Sequence, residues 1–296
     1  LNTEHFIETR KRLSLSQEEL AQGICTQATL SRFESGGSIP SVKILTQLCH
    51  RLGLSIAELF RTQADSRGEF INDTLNQAEF DLIISEYDHA NQKLDELELT
   101  EEENEQFGER LDYIRGYLAI LLGHHVQENI DGFHAKLLDS QTEIDIYTLL
   151  NYCGLGMGYA YLGKDQLAEK YFNFVFIHVF DFQSTSAGET WKILTILFYT
   201  AEFYSSSNLA ISNRILETIV SMCSDNHMTF YLARSVLQLA ENEAAGEANK
   251  TRLVNYLIDA HAYAKINRNQ VELQRIDYLI KKWHLQDLAI SSIFDN

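Results

Sequence analysis

Apolar residues recur along most of this 296-residue chain at intervals of three and four positions, and the strict apolar-polar alternation of a half-buried strand is missing. From residue 70 onward the helical period predicts segments over 68–76, 79–96, 101–122, 126–139, 144–162, 165–181, 188–205, 207–223, 227–245, 249–267 and 269–284. Their lengths and spacing suit antiparallel hairpins. The first sixty residues have a shorter rhythm. Ser16 followed by Glu19 has the spacing of a capping box, so a helix is expected to begin there, with Leu20 and Ala21 as its apolar face, Gly23 at its end and Ile24 filling the turn. Thr26 then caps a second helix, whose Leu30 and Phe33 point inward and whose Gln27, Ala28, Ser31 and Arg32 face out. The expected fold class is all-α.

Two short helices joined by a tight turn are the layout of a helix-turn-helix. Gln and Arg carry paired donors and acceptors that match the major-groove edges of adenine and guanine, so an exposed helix face bearing both reads as a DNA-reading surface. Residues 5–60 resemble the phage-repressor (XRE-like) DNA-binding domain, a five-helix unit. In that frame Phe6 and Leu13 lie on the inner face of the first helix, and Ser41 caps a fourth helix carrying Ile44, Leu45 and Leu48. The stretch 52–60, LGLSIAELF, supplies the fifth, and the GGSIPS loop over 36–41 holds the only proline. Gln27, Ala28 and Arg32 are then expected to face bases, with Thr26 and Thr29 at the same helix end. Ser16, Gln17 and Lys43 are expected at phosphates, because a helix N-terminus and its adjoining loop favour anions. The resemblance also implies a partly buried ion pair between Arg10 and Glu34, which makes Arg10 structural.

Charge separates this head from the rest. Residues 1–63 hold seven Lys or Arg and six Asp or Glu, out of 24 and 42 in the whole chain, so the body is strongly acidic and only the head can approach a polyanion. At 45% apolar and 11% aromatic residues, the chain is large enough to bury a second sizeable core. No run of eighteen apolar residues exists and the N-terminus is polar and helical, which points to a cytoplasmic protein with no membrane partner. Cys25, Cys49, Cys153 and Cys223 are widely spaced within helical patterns and read as reduced core residues. His124 and His125 are adjacent and diverge on a helix, His261 and His284 stand alone, and no phosphate loop or nucleophile elbow is present, so neither enzyme, metal site nor cofactor is expected. The acidic run from Glu96 to Glu105 reads as a solvated helix start or an interhelical loop.

The body also carries a repeat signature. Tyr152, Leu155, Gly156, Tyr159, Gly163, Ala168, Phe172 and Val175 fall at tetratricopeptide-repeat positions, and Leu194, Leu197, Ala201, Ala210 and Ala260 follow more weakly in later hairpins. Four or five such hairpins are expected to stack into a right-handed superhelix with a concave inner surface. A repressor-type head followed by such an array resembles the RRNPP group of Gram-positive signalling regulators, most closely its PlcR-like and Rgg-like members. The resemblance implies residues 1–63 as the DNA-binding domain, 64–78 as a helical connector, and 79–296 as a repeat domain for peptide binding and dimerisation. It also implies a homodimer on a two-fold symmetric double-stranded operator, switched by a short linear signalling peptide (quorum sensing).

The repeat register places Leu150, Cys153, Met157, Ala160 and Tyr161 inward on one helix, and Lys192, Thr195, Tyr199, Glu202 and Phe203 inward on the next. On the following one the register is ambiguous, with Tyr231, Arg234 and Gln238 as polar candidates, and for each of these groove residues packing between repeats is the alternative to ligand contact. Asn151 is the nearest match to the family's peptide-clamping asparagines, one position from the inward face. Lys192 and Arg234 are expected to suit a carboxylate, including a peptide C-terminus. Two other readings stay open. One is an adaptor that sequesters a partner protein, as Rap-type members of the group do, and the other is a constitutive regulator whose array serves only dimerisation. For the C-terminal segment 271–294, with Leu279, Trp283, Leu285, Leu288 and Ile293, the alternatives are a solenoid cap and a subunit interface.

Overall fold

The structure is a computed structural model that describes residues 3–55, 63–139, 144–182, 184, 186–246 and 249–285. Among these residues every regular element is helical, and they divide into two compact units between Asp73 and Thr74.

In the first unit, α1 (Thr3–Arg12), α2 (Gln17–Ala21), α3 (Gln27–Glu34) and α4 (Val42–Leu52) enclose Phe6, Leu20, Leu30, Phe33, Leu45 and Leu48, all buried. Phe6 meets Phe33 edge to face at 5.2 Å between ring centres, an arrangement that adds about 0.5–1.5 kcal/mol to simple burial. Both expected caps form: the Ser16 hydroxyl accepts from the Glu19 amide at 3.1 Å while the Glu19 carboxylate takes the Ser16 amide at 2.7 Å, and Thr26 accepts from the Thr29 amide. Gly23 adopts a φ of +74°, which permits the tight turn between α2 and α3. Two expectations need correction. Leu13 is 47% exposed, because α1 ends at Arg12 and Ser14 turns left-handed at a φ of 57°, carrying Leu13 off the inner face. Ser41 occupies the N-cap of α4, yet its side chain makes no capping bond. The expected fifth helix extends over residues 56–60, which lie outside the described residues.

A long helix, α5 (Gln63–Ile83), crosses the division, and α6 (Tyr87–Asp95) follows it. Sequence periodicity puts this break near residue 78, but α5 runs on to Ile83. Ala78 and Leu82 are buried, and the helix ends where Ser85 takes a φ of 66° and the Glu86 amide reaches back to the Asp81 carbonyl at 2.8 Å. No glycine, proline or asparagine marks that stop in the sequence.

Hairpins follow in order: α7 (Glu101–Leu122) with α8 (Val126–Asp139), α9 (Ile146–Tyr161) with α10 (Asp165–His178), α11 (Ala187–Tyr204) with α12 (Leu209–Asp225), and α13 (Leu232–Ala245) with α14 (Lys250–Ile266). The first helices of successive hairpins meet, α7 against α9 and α9 against α11, as in a stacked repeat. The acidic run is both loop and helix start: residues 96–100 join α6 to α7, and its second half opens α7, where Thr100 and Glu103 form a second capping box. The last helix, α15 (Gln270–Lys282), packs Leu279, Ile280 and the following Leu285 against Leu253, Leu257 and Ala260 of α14. Those side chains cover the end of their own array; Leu288 and Ile293 lie outside the described residues.

Close approach within the clear repeat depends on glycine. A methyl group on Gly156 would stand 2.8 Å from the ring of Phe172, which is itself stacked on Phe203 at 4.8 Å. Gly156→Ala is therefore expected to destabilise the repeat domain by about 1–3 kcal/mol through overpacking. The check is a lower urea midpoint at unchanged slope; an unchanged midpoint would mean that the ring yields freely.

Candidate functional sites

The first candidate site is the outer face of α3. Gln27, Ala28 and Arg32 are exposed along it, Thr26 stands at its N-cap, and half-buried Thr29 shares a hydroxyl contact with Thr26 at 2.8 Å. Beneath them runs a chain of polar contacts. Arg10 donates twice to Glu34 at 2.7 Å, and its remaining nitrogen reaches the Leu15 carbonyl at 2.8 Å. The Glu34 bond keeps this guanidinium more firmly protonated than usual, against the opposing effect of partial burial. Glu34 also accepts from the Gln17 amide at 2.8 Å, and the Gln17 carbonyl accepts from the Gln27 amide at 2.8 Å.

Gln17 thus holds Gln27 in a defined orientation at the first turn of α3. That relation, ten residues apart in sequence, has no helical-spacing signal. Arg32 folds its Nε toward the Ala28 carbonyl at 3.3 Å, leaving the rest of the guanidinium outward. Ser16 and Lys43 are exposed at the starts of α2 and α4. Arg51, which sequence reasoning passed over, donates to the carbonyls of Leu20 at 3.0 Å and Gln22 at 2.6 Å, closing the C-terminal end of α2 beside the turn.

The second site is a cavity of about 330 Å³ in the repeat domain. Met157, Ala160 and Tyr161 of α9 line it together with Tyr199, Glu202 and Phe203 of α11. These are positions that the repeat register turns inward on two successive first helices. Ile120 from α7 and Phe172 from α10 complete the apolar wall; Phe172 is one of the repeat-signature residues, whereas Ile120 carried no distinguishing signal in the sequence. Leu150, Cys153 and Thr195, also expected inward, are buried in helix packing. Burial pushes the Cys153 thiol up to about 12, so it is inert at neutral pH. Asn151 is half-buried and does not line the cavity.

The remaining polar candidates are built into the protein instead, and the expectation that Lys192 and Arg234 present a carboxylate site is corrected on that ground. Lys192 lies 3.4 Å from Glu79 of α5 and over the ring of Tyr147. Arg234, 3% exposed, donates to the carbonyls of Leu82 and Ile83 at the end of α5 at 3.1 and 3.2 Å and to the Tyr87 hydroxyl at 3.2 Å. Its guanidinium also lies 4.1 Å from the Phe198 ring centre. Tyr231 bonds the Thr195 hydroxyl, and Gln238 donates to Asn242 at 3.0 Å, which in turn donates to Ser212 at 2.8 Å and Asn213 at 2.7 Å. No group of metal-ligating side chains occurs among the described residues, and no helix there is long and apolar enough to cross a membrane.

Residues 7–59 match the helix-turn-helix family. Across nearly the whole chain the fold is similar to PlcR of Bacillus thuringiensis, solved in complex with the peptide PapR7 and DNA, with a TM-score of 0.59 and 17% identity over 93% of this chain and 98% of that one. It is also similar to ComR of S. thermophilus in complex with DNA and its signalling peptide ComS, with a TM-score of 0.53 and 18% identity over 93% of this chain and 97% of that one. The apo form of ComR from Streptococcus vestibularis gives a TM-score of 0.53 and 18% identity over 95% of this chain and 97% of that one. No curated protein matches in sequence. The resemblance to RRNPP regulators therefore holds at the level of the fold: a helix-turn-helix domain followed by paired helices.

Proposed function

We propose that this protein is a cytoplasmic transcription regulator that binds a two-fold symmetric DNA operator as a homodimer and alters that binding when its repeat domain takes up a short linear peptide. The observation that carries the reading is the outer face of α3, where Gln27 and Arg32 stand exposed and Gln27 is oriented by Gln17 and Glu34. Preorganised side chains on a rigid helix are what base recognition requires. Ser16, Gln17 and Lys43 are assigned to phosphates, and Thr26, Gln27, Ala28, Thr29 and Arg32 to the groove. A single head of this size buries too little surface for tight specific binding, which is why a dimer on two half-sites is assigned. The peptide-sensing part is supported by a cavity walled by rigid helices and by an architecture shared with PlcR and ComR. Residues 1–63, 64–78 and 79–296 are assigned to DNA binding, connection, and peptide binding with dimerisation.

The test is operator selection from random duplexes with the full chain. Wild type is expected to enrich an inverted repeat. Arg32→Ala is expected to lose about 1–3 kcal/mol in affinity and to relax preference at one base pair in each half-site. Enrichment of no sequence at all would defeat the reading, and an unchanged profile for Arg32→Ala would remove Arg32 from base recognition.

A further inference from the structure

The repeat-domain cavity has the chemistry of a cation site. Four aromatic side chains, Tyr161, Phe172, Tyr199 and Phe203, contribute to its wall, and its two charged lining residues, Asp165 and Glu202, are both carboxylates. No lysine, arginine or histidine belongs to the lining. Lys164, beside Asp165 in sequence, holds its ammonium over the Tyr159 ring at 5.6 Å, outside the lining. Lys192 and Arg234, the cations nearest in register, do not line it: Lys192 is buried against Glu79, and Arg234 is buried against Glu272 with its guanidinium 5.7 Å from the Tyr199 ring centre, where it also feels the Glu202 charge. An independent observation comes from Tyr199. It lines the cavity and is buried, and its hydroxyl has no hydrogen-bond partner among the described residues.

Aromatic faces are negative and attract a cation by about 0.5–2 kcal/mol, more as water is excluded, and a carboxylate at the same site adds a direct Coulombic attraction. Both features repel a ligand carboxylate. The volume, about 330 Å³, lies at the small end of the usual range for ligand clefts and suits one extended side chain rather than a whole peptide.

We propose that this cavity binds a cationic group on an apolar stem, an alkylammonium or guanidinium, with Glu202 and Asp165 as counter-charges and the aromatic rings around the stem. The inference rests on the peptide-sensing reading and adds the charge of the ligand: the sensed peptide inserts a lysine or arginine side chain, or its own N-terminal amine, rather than its C-terminal carboxylate.

The experiment uses the full-length protein and three pools of random apolar heptapeptides, each amidated and labelled through a C-terminal cysteine, with binding read by fluorescence anisotropy. The first pool is N-acetylated and contains one lysine. The second has a free N-terminus and no lysine. The third is N-acetylated and neutral. Either charged pool is expected to bind about tenfold tighter than the neutral one, and which of the two does so identifies the source of the charge. Glu202→Gln is expected to remove most of that difference. Equal binding of all three pools, or a preference that survives Glu202→Gln, overturns the inference and leaves peptide sensing intact. Failure of every pool to bind wild type defeats the peptide-sensing reading, and the inference falls with it.

Discussion

Arg234→Ala should destabilise the repeat domain by about 3–5 kcal/mol, more than any other single truncation on its inner face. The size follows from what is left behind. Glu272 is 1% exposed and faces Arg234 at 3.8 Å, so removing the guanidinium leaves this buried carboxylate with only the more exposed Arg275, also at 3.8 Å, and the Ser85 hydroxyl at 3.4 Å. The carbonyls of Leu82 and Ile83 lose their donor at the same time, and the Phe198 ring loses the cation lying 4.1 Å above it. Urea unfolding of the full chain measures the loss, and pairing Arg234→Met with Glu272→Gln separates its parts. The double variant is expected to lose less than the sum of the two single ones, because the stranded charge is gone. A loss below about 1 kcal/mol for Arg234→Ala would show that solvent already reaches Glu272.

Glu79→Gln is the second large effect, expected at about 3–5 kcal/mol at neutral pH. Glu79 is 4% exposed and accepts from the Arg110 Nε at 3.0 Å and from the Tyr113 hydroxyl, with the Lys192 ammonium at 3.4 Å. Burial raises its pKa, but the Arg110 hydrogen bond, the Lys192 and Arg110 charges and the Tyr113 hydroxyl outweigh that, and the net shift is below 4.5. A depressed carboxylate stabilises the fold above its unfolded pKa, and that contribution is lost as pH falls through the folded value. Wild type should therefore lose stability more steeply than Glu79→Gln on acidification below about pH 4.5.

Lys192 shifts the other way from what a salt-bridged lysine usually does. Burial lowers its pKa from 10.5 and Arg110 adds repulsion, which the attractions to Glu79 and Glu189 do not offset. A lowered folded pKa means that the charged form is disfavoured in the fold, so stability tied to Lys192 increases as pH rises through the folded pKa toward 10.5. Lys192→Met is accordingly expected to cost less than Glu79→Gln, since Glu79 retains Arg110 and Tyr113. Equal losses from the two variants would contradict this division of roles.

What the sequence determined by itself is whatever depends on neighbours within about four positions. Helix periodicity, the Ser16 with Glu19 and Thr26 caps, the left-handed glycine at position 23 and the inward register of Met157, Tyr161, Tyr199 and Glu202 are all of that kind, because a helix's faces and ends follow from local spacing. Where local signals were absent, sequence reasoning failed locally. The end of α5 at Ile83 has no breaker residue, and Leu13 looked apolar and inward although α1 ends at Arg12 and the left-handed turn at Ser14 follows at once.

Tertiary structure alone decided which inward polar residues remain for a ligand. Lys192, Tyr231, Arg234 and Gln238 have the same residue types and the same register as groove contacts. Their partners, Glu79, Thr195, the Leu82 and Ile83 carbonyls, and Asn242, come mostly from helices distant in the chain. A buried polar group is stabilised where its donors and acceptors are met, and the chain folded so that α5 and α6 supply acceptors to the two terminal nitrogens of Arg234, while α5 supplies a carboxylate to Lys192. Tyr199 and Glu202, from the same register, instead line the cavity, and the Tyr199 hydroxyl has no hydrogen-bond partner among the described residues.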